Sequence, residues 1–476
     1  MSGSVFKRAD HTLIVSDLHL TEEEKVDPKR PMWKRWKQKD LFIDEAFSEF
    51  LLHMESEING PLELILAGDI FDFDSVTAIP ADPKFPVDFI ERRRGLNPDE
   101  KKSLFKFNRI IDDHPVWFAA VRDFVSRGHR VIFIIGNHDL ELTWNSVRNR
   151  LLNELQSGRR SGSRVRICDL YYISNEDTLI EHGNQHDAYC VTQNPLWPYI
   201  QKGDKPTLRR PFGNLASHFL LNGMGYFNPH VEATFLMSFR EYLSSFFKYV
   251  WRTQPLLMFS WFWSSMVTML VALTEAMLPA VQDPLLIEKQ TEKTARLANS
   301  NPAALRSMLE LKVYPAVFRP WLILRELWLD RALIIILLLY LAFQAAGVMN
   351  IIFDLSMLWV VLPVVVTLPF FLLYTRSVKP KVKQYKQARL KNLKLAAKIV
   401  DVRRIVNGHT HQYAKMHKGG IDFFNAGYWS APCLNIECTR KEENRTFVWI
   451  RPGSMGEREA VLAIWRGGRI GYEILE

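Results

Sequence analysis

Five short polar clusters, each directly after a run of apolar residues, constrain this chain most. The clusters are Asp-Leu-His at 17–19, Gly-Asp-Ile-Phe-Asp at 68–72, Gly-Asn-His-Asp at 136–139, His-Gly-Asn at 182–184 and Gly-His-Thr-His at 408–411. The apolar runs before them are 12–16, 62–67, 131–135, 178–181 and 405–407. These runs are short and rich in β-branched residues, which predicts buried strands. Because α/β sheets bind ligands beyond the carboxyl ends of their strands, the clusters predict one shared site in an α/β fold.

The residue types in the clusters favour a binuclear metal site. Two divalent ions about 4 Å apart can hold the attacking and leaving oxygens of a phosphoryl displacement when a carboxylate bridges them. Asp69 is the natural bridge. Histidine and aspartate together suit manganese above all here, with iron, zinc or cobalt as alternatives, whereas softer metals favour thiolates. None of the clusters contains cysteine.

The five blocks, in this order, resemble those of the calcineurin-like metallophosphoesterases over residues 10–190 and 400–430. The resemblance implies one ion held by Asp17, His19, Asp69 and His411, and a second held by Asp69, Asn137, His182 and His409. It also implies hydrolysis by metal-activated hydroxide, with His138 as general acid or transition-state donor and Asp72 orienting it. We expect Asp74, Asp139, His186 and Asp187 to support these residues or shape turns. The eight histidines other than His19, His138, His182, His409 and His411 are interpreted as surface or packing residues.

Departures from the family pattern narrow the substrate. Phe73 and Asp74 follow the second block and Asp139 ends the third, which is unlike the phosphoprotein phosphatases of this family. The UDP-2,3-diacylglucosamine pyrophosphatase branch shares the 16–20 opening, Ser-Asp-Leu-His-Leu, and carries a helical lid between the fourth and fifth blocks. That branch usually has arginine where His138 stands, so the resemblance to it is partial.

The long separation between His182 and His409 predicts an inserted module. We expect residues 1–190 and 401–476 to be two parts of one metallophosphoesterase domain and residues 191–400 to be a helical insertion. Residues 332–353 and 355–375 carry no charge, and each stretch is long enough to span hydrocarbon, so 332–375 predicts a transmembrane hairpin. Two buried helices of a soluble core are the alternative, but soluble helices seldom lack a polar face. Residues 256–278 are interpreted as a helix buried in the lid or lying in the membrane interface.

Charge predicts the orientation of the hairpin. Arginines 319, 325 and 331 precede it and a basic run at 376–404 follows it, so the positive-inside tendency places both ends in the cytosol. The basic run favours anionic lipid headgroups over nucleic acid, as does the net charge of +9. There is no apolar signal segment before residue 12, and the four cysteines have no metal-ligand spacing, which fits a reducing cytosol. The prediction is a membrane protein whose catalytic domain faces the cytoplasm.

These features together predict a four-layer α/β/β/α sandwich with a membrane-embedded helical insertion. Residues 421–424, 446–450, 460–465 and 470–474 are expected to close the second sheet. The predicted function is hydrolysis of a phosphoester or pyrophosphate bond in a lipid-linked substrate. Two alternatives stay open: a phosphodiesterase for soluble nucleotides that uses the hairpin only as an anchor, and a non-catalytic metal-binding membrane scaffold.

Overall fold

A computed structural model describes most of the chain. The described residues are 8–156, 164–228, 230, 244, 247–248, 251, 257–281, 283–353, 361–377, 388–430, 435, 437–440, 444–453 and 456–475.

The strands are β1 (His11–Val15), β2 (Leu62–Ala67), β3 (Arg130–Ile134), β4 (Val165–Cys168), β5 (Tyr171–Ser174), β6 (Thr178–Glu181), β7 (Tyr199–Lys202), β8 (Lys205–Leu208), β9 (Arg404–Asn407), β10 (Ala414–His417), β11 (Asp422–Asn425), β12 (Arg445–Pro452), β13 (Arg458–Gly467) and β14 (Gly471–Leu475). The five strands predicted before the polar clusters are β1, β2, β3, β6 and β9. Their observed bounds agree with the predicted ones to within one residue.

The helices are α1 (Asp44–Glu57), α2 (Glu91–Arg94), α3 (Glu100–Asp113), α4 (Pro115–Ser126), α5 (Asn145–Leu155), α6 (Phe212–Leu215), α7 (Asn222–Met224), α8 (Leu257–Met277), α9 (Pro284–Leu297), α10 (Pro302–Glu310), α11 (Pro320–Glu326), α12 (Leu329–Phe353), α13 (Val361–Ser377) and α14 (Leu390–Val400). A π-helical segment, Ala216–Leu221, joins α6 to α7. Short 3-10 turns lie at Arg35–Lys37, Lys39–Leu41, Leu140–Thr143, Asn184–His186 and Ala316–Phe318.

The strands form two large sheets and a small hairpin. The first sheet has seven strands in the order β14-β13-β12-β1-β2-β3-β4, and the second has five in the order β10-β11-β9-β6-β5. Strands β1 to β4 are mutually parallel, as are β6, β9 and β11. The hairpin pairs β7 with β8. All five polar clusters therefore follow parallel strands, three in the first sheet and two in the second.

The chain end after the fifth block joins the sheets differently from the prediction. Of the four predicted segments, only the first, β11, lies in the second sheet, whereas β12, β13 and β14 extend the first sheet, with β12 antiparallel to β1. The expectation that all four strands close the second sheet was wrong. Alternating apolar residues show that a strand has one buried face, but they do not show which strand it pairs with.

Side chains alternate along the strands between separate cores. Ile14 and Ile65 of the first sheet share one buried cluster with Ile180 and Val406 of the second. On its other face the first sheet contributes Leu13, Leu64 and Phe133 to a cluster with helix residues such as Phe47 and Trp117. The other face of the second sheet contributes Leu179 and Ile405 to a cluster with Leu305 and Ala396. The chain is therefore a mixed α/β protein with several sheets and helices.

One described helix, α12, is long and apolar enough to cross a membrane, with 25 residues and an 18-residue window whose mean hydropathy is 2.4. Only 11% of its most apolar window is buried, unlike a core helix of a soluble protein. Tyr374 near the end of α13 donates a 2.6 Å hydrogen bond to Asp330 near the start of α12. The two helices therefore run antiparallel. Residues 354–360, between them, lie outside the described residues, as do 378–387 of the basic run.

Helix α8 presents its polar side chains inward. Ser264, Thr268 and Glu275 are buried, whereas Trp263 and Met277 are 54% and 85% exposed. Arg94 donates a 2.8 Å hydrogen bond to Ser264, and Arg210 pairs with Glu275 at 2.8 Å. The polar face of α8 is thus packed against the rest of the chain, and its apolar face is exposed.

The cysteines differ in part from the expectation. Cys168 and Cys190 are free. Cys438, however, is disulfide-bonded, so the expectation of reduced cysteines was wrong for this residue. Burial raises the pKa of Cys168 to about 12, which makes its thiol unreactive.

Candidate metal centre

The two sheets bring the five clusters together at the carboxyl ends of their parallel strands. The backbone N–H of His19 donates to the carbonyl of Asp69 at 2.9 Å, which joins the first two clusters. The N–H of Gly408 donates to the carbonyl of His182 at 2.8 Å, which joins the last two. The N–H of His409 donates to Oδ2 of Asp17 at 3.0 Å and so links one sheet to the other.

Asp17, His19 and His411 form the first ligand group. Nε2 of His411 lies 3.2 Å from Oδ1 of Asp17 and 3.3 Å from Nε2 of His19. Burial holds the pKa of His19 well below 6.5, so this imidazole is neutral, as a metal ligand must be. The three donor atoms therefore converge on a point suited to a cation.

Asp69, His182 and His409 form the second ligand group. Nδ1 of His182 donates to the carbonyl of Ala67 at 3.0 Å, which leaves Nε2 3.1 Å from Oδ2 of Asp69. Nε2 of His409 lies 3.0 Å from Oδ2 of Asp187 and donates to it, which leaves Nδ1. One ring nitrogen of each histidine is thus fixed by a protein acceptor while the other is left for a metal, as is usual for metal-binding imidazoles.

Several buried polar atoms of the centre form no well-aligned hydrogen bond within the described part of the chain. Oδ1 of Asp17, Oδ1 of Asn137 and Nε2 of His182 make no hydrogen bond of acceptable geometry among the described residues. An unsatisfied buried polar atom costs about 1–3 kcal/mol. Oxygen and imidazole donors of this kind suit divalent ions of intermediate softness. The residues present therefore fit bound divalent metal.

The backbone at these residues is strained. A left-handed conformation, with φ between 50° and 69°, occurs at Asp17, His19, Asp69, His409 and His411. Non-glycine residues avoid this region, and such strain concentrates at functional sites. The sharp turns at the ends of β1, β2 and β9 direct these side chains toward one another.

The predicted general acid lies beside the first ligand group. The His138 ring is 5.1 Å from that of His19, and its Nδ1 lies 3.2 Å from Asp72 and 3.3 Å from Asp74. Burial lowers the pKa of His138, but Asp69 and Asp72 outweigh burial and raise it well above 6.5. The carboxylates occupy Nδ1, so Nε2 is the nitrogen left for a substrate oxygen.

Two other buried acidic residues, Asp139 and Glu181, contact residues in or next to the polar clusters. Asp139 accepts hydrogen bonds from the backbone N–H groups of Phe71 at 2.7 Å and Gly136 at 3.2 Å, which fixes the turns after β2 and β3. Burial, with the nearby Asp69 carboxylate, raises the pKa of Asp139 to about 7. Glu181 lies 2.9 Å from Nε2 of His186.

Sequence reasoning missed the residues that the insertion contributes. Nε2 of His230 lies 2.8 Å from Oδ2 of Asp72, and its ring stacks on His19 with 3.7 Å between centroids. His230 is therefore buried beside the centre, and its interpretation as a surface residue was wrong. Asn214 donates to Asp74 and to the carbonyl of Asn137, the latter at 2.8 Å. These residues follow no predicted strand, so the signal that found the other clusters is absent.

Comparisons with known proteins add little. No family model matches the chain, and no curated protein matches it. Matches among solved structures include vacuolar protein sorting 29 from Cryptosporidium parvum, with 17% identity and a TM-score of 0.13 over 18% of this chain and 42% of that one. Another is the Zn²⁺ complex of Vps29 from Entamoeba histolytica, with 18% identity and a TM-score of 0.14 over 18% and 46%. The chain thus spans less than half the length of either structure, and likenesses this slight carry no argument.

Proposed function

We propose that this chain is a membrane-anchored, metal-dependent phosphoesterase that hydrolyses a phosphoester or pyrophosphate bond of a lipid-linked substrate. The observation that carries the proposal is the convergence of the two ligand groups, linked by the His409 N–H on Asp17, with His138 beside them. The fold we propose around this centre is the four-layer α/β/β/α sandwich. Its support is the shared core between the sheets and the helix-lined core on each outer face.

We assign the residues of the centre to two metal ions and one proton donor. The first ligand group would hold one ion and the second group, with Asn137, the other; Asp69 would contact both. When bound, such ions supply charge stabilisation and a nucleophile at neutral pH. Asp72 and Asp74 hold Nδ1 of His138, and its Nε2 would donate a proton or hydrogen bond to the leaving oxygen.

Membrane anchoring rests on α12 and its partner α13. Apolar side chains of α12 are exposed along its length, among them Ile336, Phe343 and Ile351. Exposed apolar area on this scale is unfavourable in water and favourable in a bilayer. The Asp330–Tyr374 hydrogen bond holds the two ends of the pair side by side, as a hairpin with both ends on one face requires. The cytoplasmic face is the one that the flanking basic residues favour.

The exposed apolar side chains of the insertion favour a substrate that is linked to a lipid. Helix α8 exposes Trp263 and Met277, and Trp321 of α11 is 75% exposed. Tryptophan is enriched where apolar and aqueous phases meet. Side chains of this insertion also reach the catalytic loops, as Asn214 does at Asn137. The segment that carries these exposed apolar side chains therefore also supplies a residue that touches the centre.

The test is hydrolysis by the full chain purified in mild detergent and loaded with Mn²⁺. Substrates would be a small chromogenic phosphodiester, phospholipids, lipid pyrophosphates and nucleotides, the lipids presented in vesicles. The matched control is Asp69→Asn, which should be inactive throughout. Preference for a lipid-linked ester or pyrophosphate supports the proposal. Preference for soluble nucleotides would make the hairpin a simple anchor, and metal binding without hydrolysis of any substrate would favour a scaffold.

A further inference from the structure

The insertion reaches the metal centre through one histidine, His230. Its side chain is only 5% exposed, and its backbone N–H donates to Oδ1 of Asn228 at 2.9 Å, which fixes the turn that presents it. The Trp36 ring packs edge-on against the imidazole at 5.8 Å between centroids. His230 is therefore held in place from both the insertion and the first part of the chain.

Three contacts of His230 reach three different parts of the centre. Because a carboxylate only accepts hydrogen bonds, Nε2–H of His230 donates to Oδ2 of Asp72 at 2.8 Å. The imidazole stacks on His19 with 23° between the ring planes. The backbone carbonyl of His230 accepts from Nδ1 of His411 at 2.8 Å, which leaves Nε2 of His411 for a metal.

Asp72 is thereby shared between two histidines. Its Oδ1 lies 3.2 Å from Nδ1 of His138, while its Oδ2 receives the hydrogen bond from His230. A carboxylate held on one oxygen can rotate, whereas one held on both is fixed. The geometry of His138 then depends on His230 through Asp72.

We infer that His230 is a positioning residue of the metal centre, which makes the insertion a working part of that centre. The part of this inference that concerns catalysis by His138 rests on the proposed function. Through its imidazole, His230 fixes Asp72 and hence His138. Through its stacking on His19 it fixes a ligand of the first group. Outer partners of this kind are worth about 10–100-fold in metal affinity or activity.

The test compares His230→Ala and His230→Gln with a matched control, His218→Ala. His218 is a second fully buried histidine of the insertion whose ring packs on Phe219, 4.5 Å between centroids. At saturating Mn²⁺, His230→Ala should lower kcat about 10–100-fold with little change in KM. His230→Gln should recover part of that loss, because its amide can donate to Asp72. His218→Ala should lower thermal stability and leave kcat within about twofold of the parent.

A double-mutant cycle tests the route through Asp72. If His230 acts through that carboxylate, adding His230→Ala to Asp72→Asn should change kcat by less than about twofold, because the two effects are not independent. Two independent, additive losses would overturn the route. A loss of kcat in His218→Ala equal to that in His230→Ala would reduce His230 to a packing residue.

Calorimetry with Mn²⁺ gives a readout that does not depend on activity. One of the binding events should weaken about tenfold in His230→Ala, because His19 loses its stacking partner, and should be unchanged in His218→Ala. Should the parent chain hydrolyse none of the substrates, the proposed function fails, yet this metal-binding difference would still support His230. Unchanged affinity in both variants would overturn the positioning role at His19.

Discussion

Oδ2 of Asp69 lies 3.1 Å from Nε2 of His182, and its other carboxylate oxygen accepts the His138 backbone N–H at 2.8 Å. One buried aspartate therefore joins the second ligand group to the loop that carries the predicted acid. Its neighbourhood also includes the first group, because the N–H of His19 donates to its carbonyl.

Asp69→Asn should abolish hydrolysis and lower the metal content while the chain stays folded. The amide keeps the size of the carboxylate but removes the charge that a bridging ligand supplies. Elemental analysis measures the metal content, and thermal melting shows whether the chain stays folded. The control is Asp112→Asn, at an exposed position of α3. Two metals retained at full activity would remove Asp69 from the centre.

His138→Asn should keep the metals and lower kcat about 10²–10⁴-fold, the usual contribution of a positioned general acid. The reason is that Nδ1 of His138 faces the carboxylates of Asp72 and Asp74, and its ring belongs to neither the first nor the second ligand group. Its donor atoms also lie within reach of His19 and His230, so the metal content has to be measured. Elemental analysis together with steady-state kinetics distinguishes a general acid from a metal ligand. Joint loss of metal and activity would identify His138 as a ligand.

Glu22→Gln should destabilise the fold about 3–5 kcal/mol at neutral pH, because it leaves a buried lysine unpaired. Glu22 accepts hydrogen bonds from Lys37 at 2.8 Å and from the backbone of Thr77 and Ala78 at 2.7 and 2.9 Å, which ties the loop after β1 to the loop after β2. Burial raises the pKa of Glu22, but Lys37 and the Thr77 N–H outweigh it and lower the pKa to about 2, from 4.5.

The pH dependence follows from that shift. The stabilisation by Glu22 is fully present above about pH 4.5, the value for the unfolded chain, and is lost as the pH falls toward about 2. Thermal melting should therefore show the gap between parent and Glu22→Gln narrowing over that window. Glu57→Gln, at an exposed position, should show no such change. A difference in thermal stability that does not change with pH would contradict a stabilising ion pair between Glu22 and Lys37.

Replacing residues 332–375 by a short flexible linker should leave hydrolysis of a small phosphodiester intact. Both halves of the centre lie outside this range, and the Asp330–Tyr374 contact shows that its ends are close in space. Activity on a lipid-linked substrate in vesicles should fall much further, and the protein should need less detergent. Equal losses on both substrates would reduce the hairpin to an anchor. Extraction of the unaltered chain by carbonate would contradict the membrane span.

The sequence predicts the strand ends of the centre well because each is a short, mostly apolar run that is followed at once by a polar cluster. It fails where this contrast is missing. Strand β10 is only four residues long and exposed along its whole length, so no buried apolar face marks it in the sequence. His230 follows no strand, and its role depends on contacts with Asp72 and His411 that only the folded chain brings together. The pairing of β12 with β1 is likewise set by tertiary packing.

Strand β9 lies inside the second sheet, paired with β6 on one side and β11 on the other. Its turn carries His409 and His411, and the ribosome makes it only after α12 and α13. During synthesis, the first four clusters must therefore wait, with the ligand groups incomplete, until the hairpin has emerged. Completion of the two ligand groups is in this sense a late event, and a chain that stalls at the hairpin lacks His409 and His411.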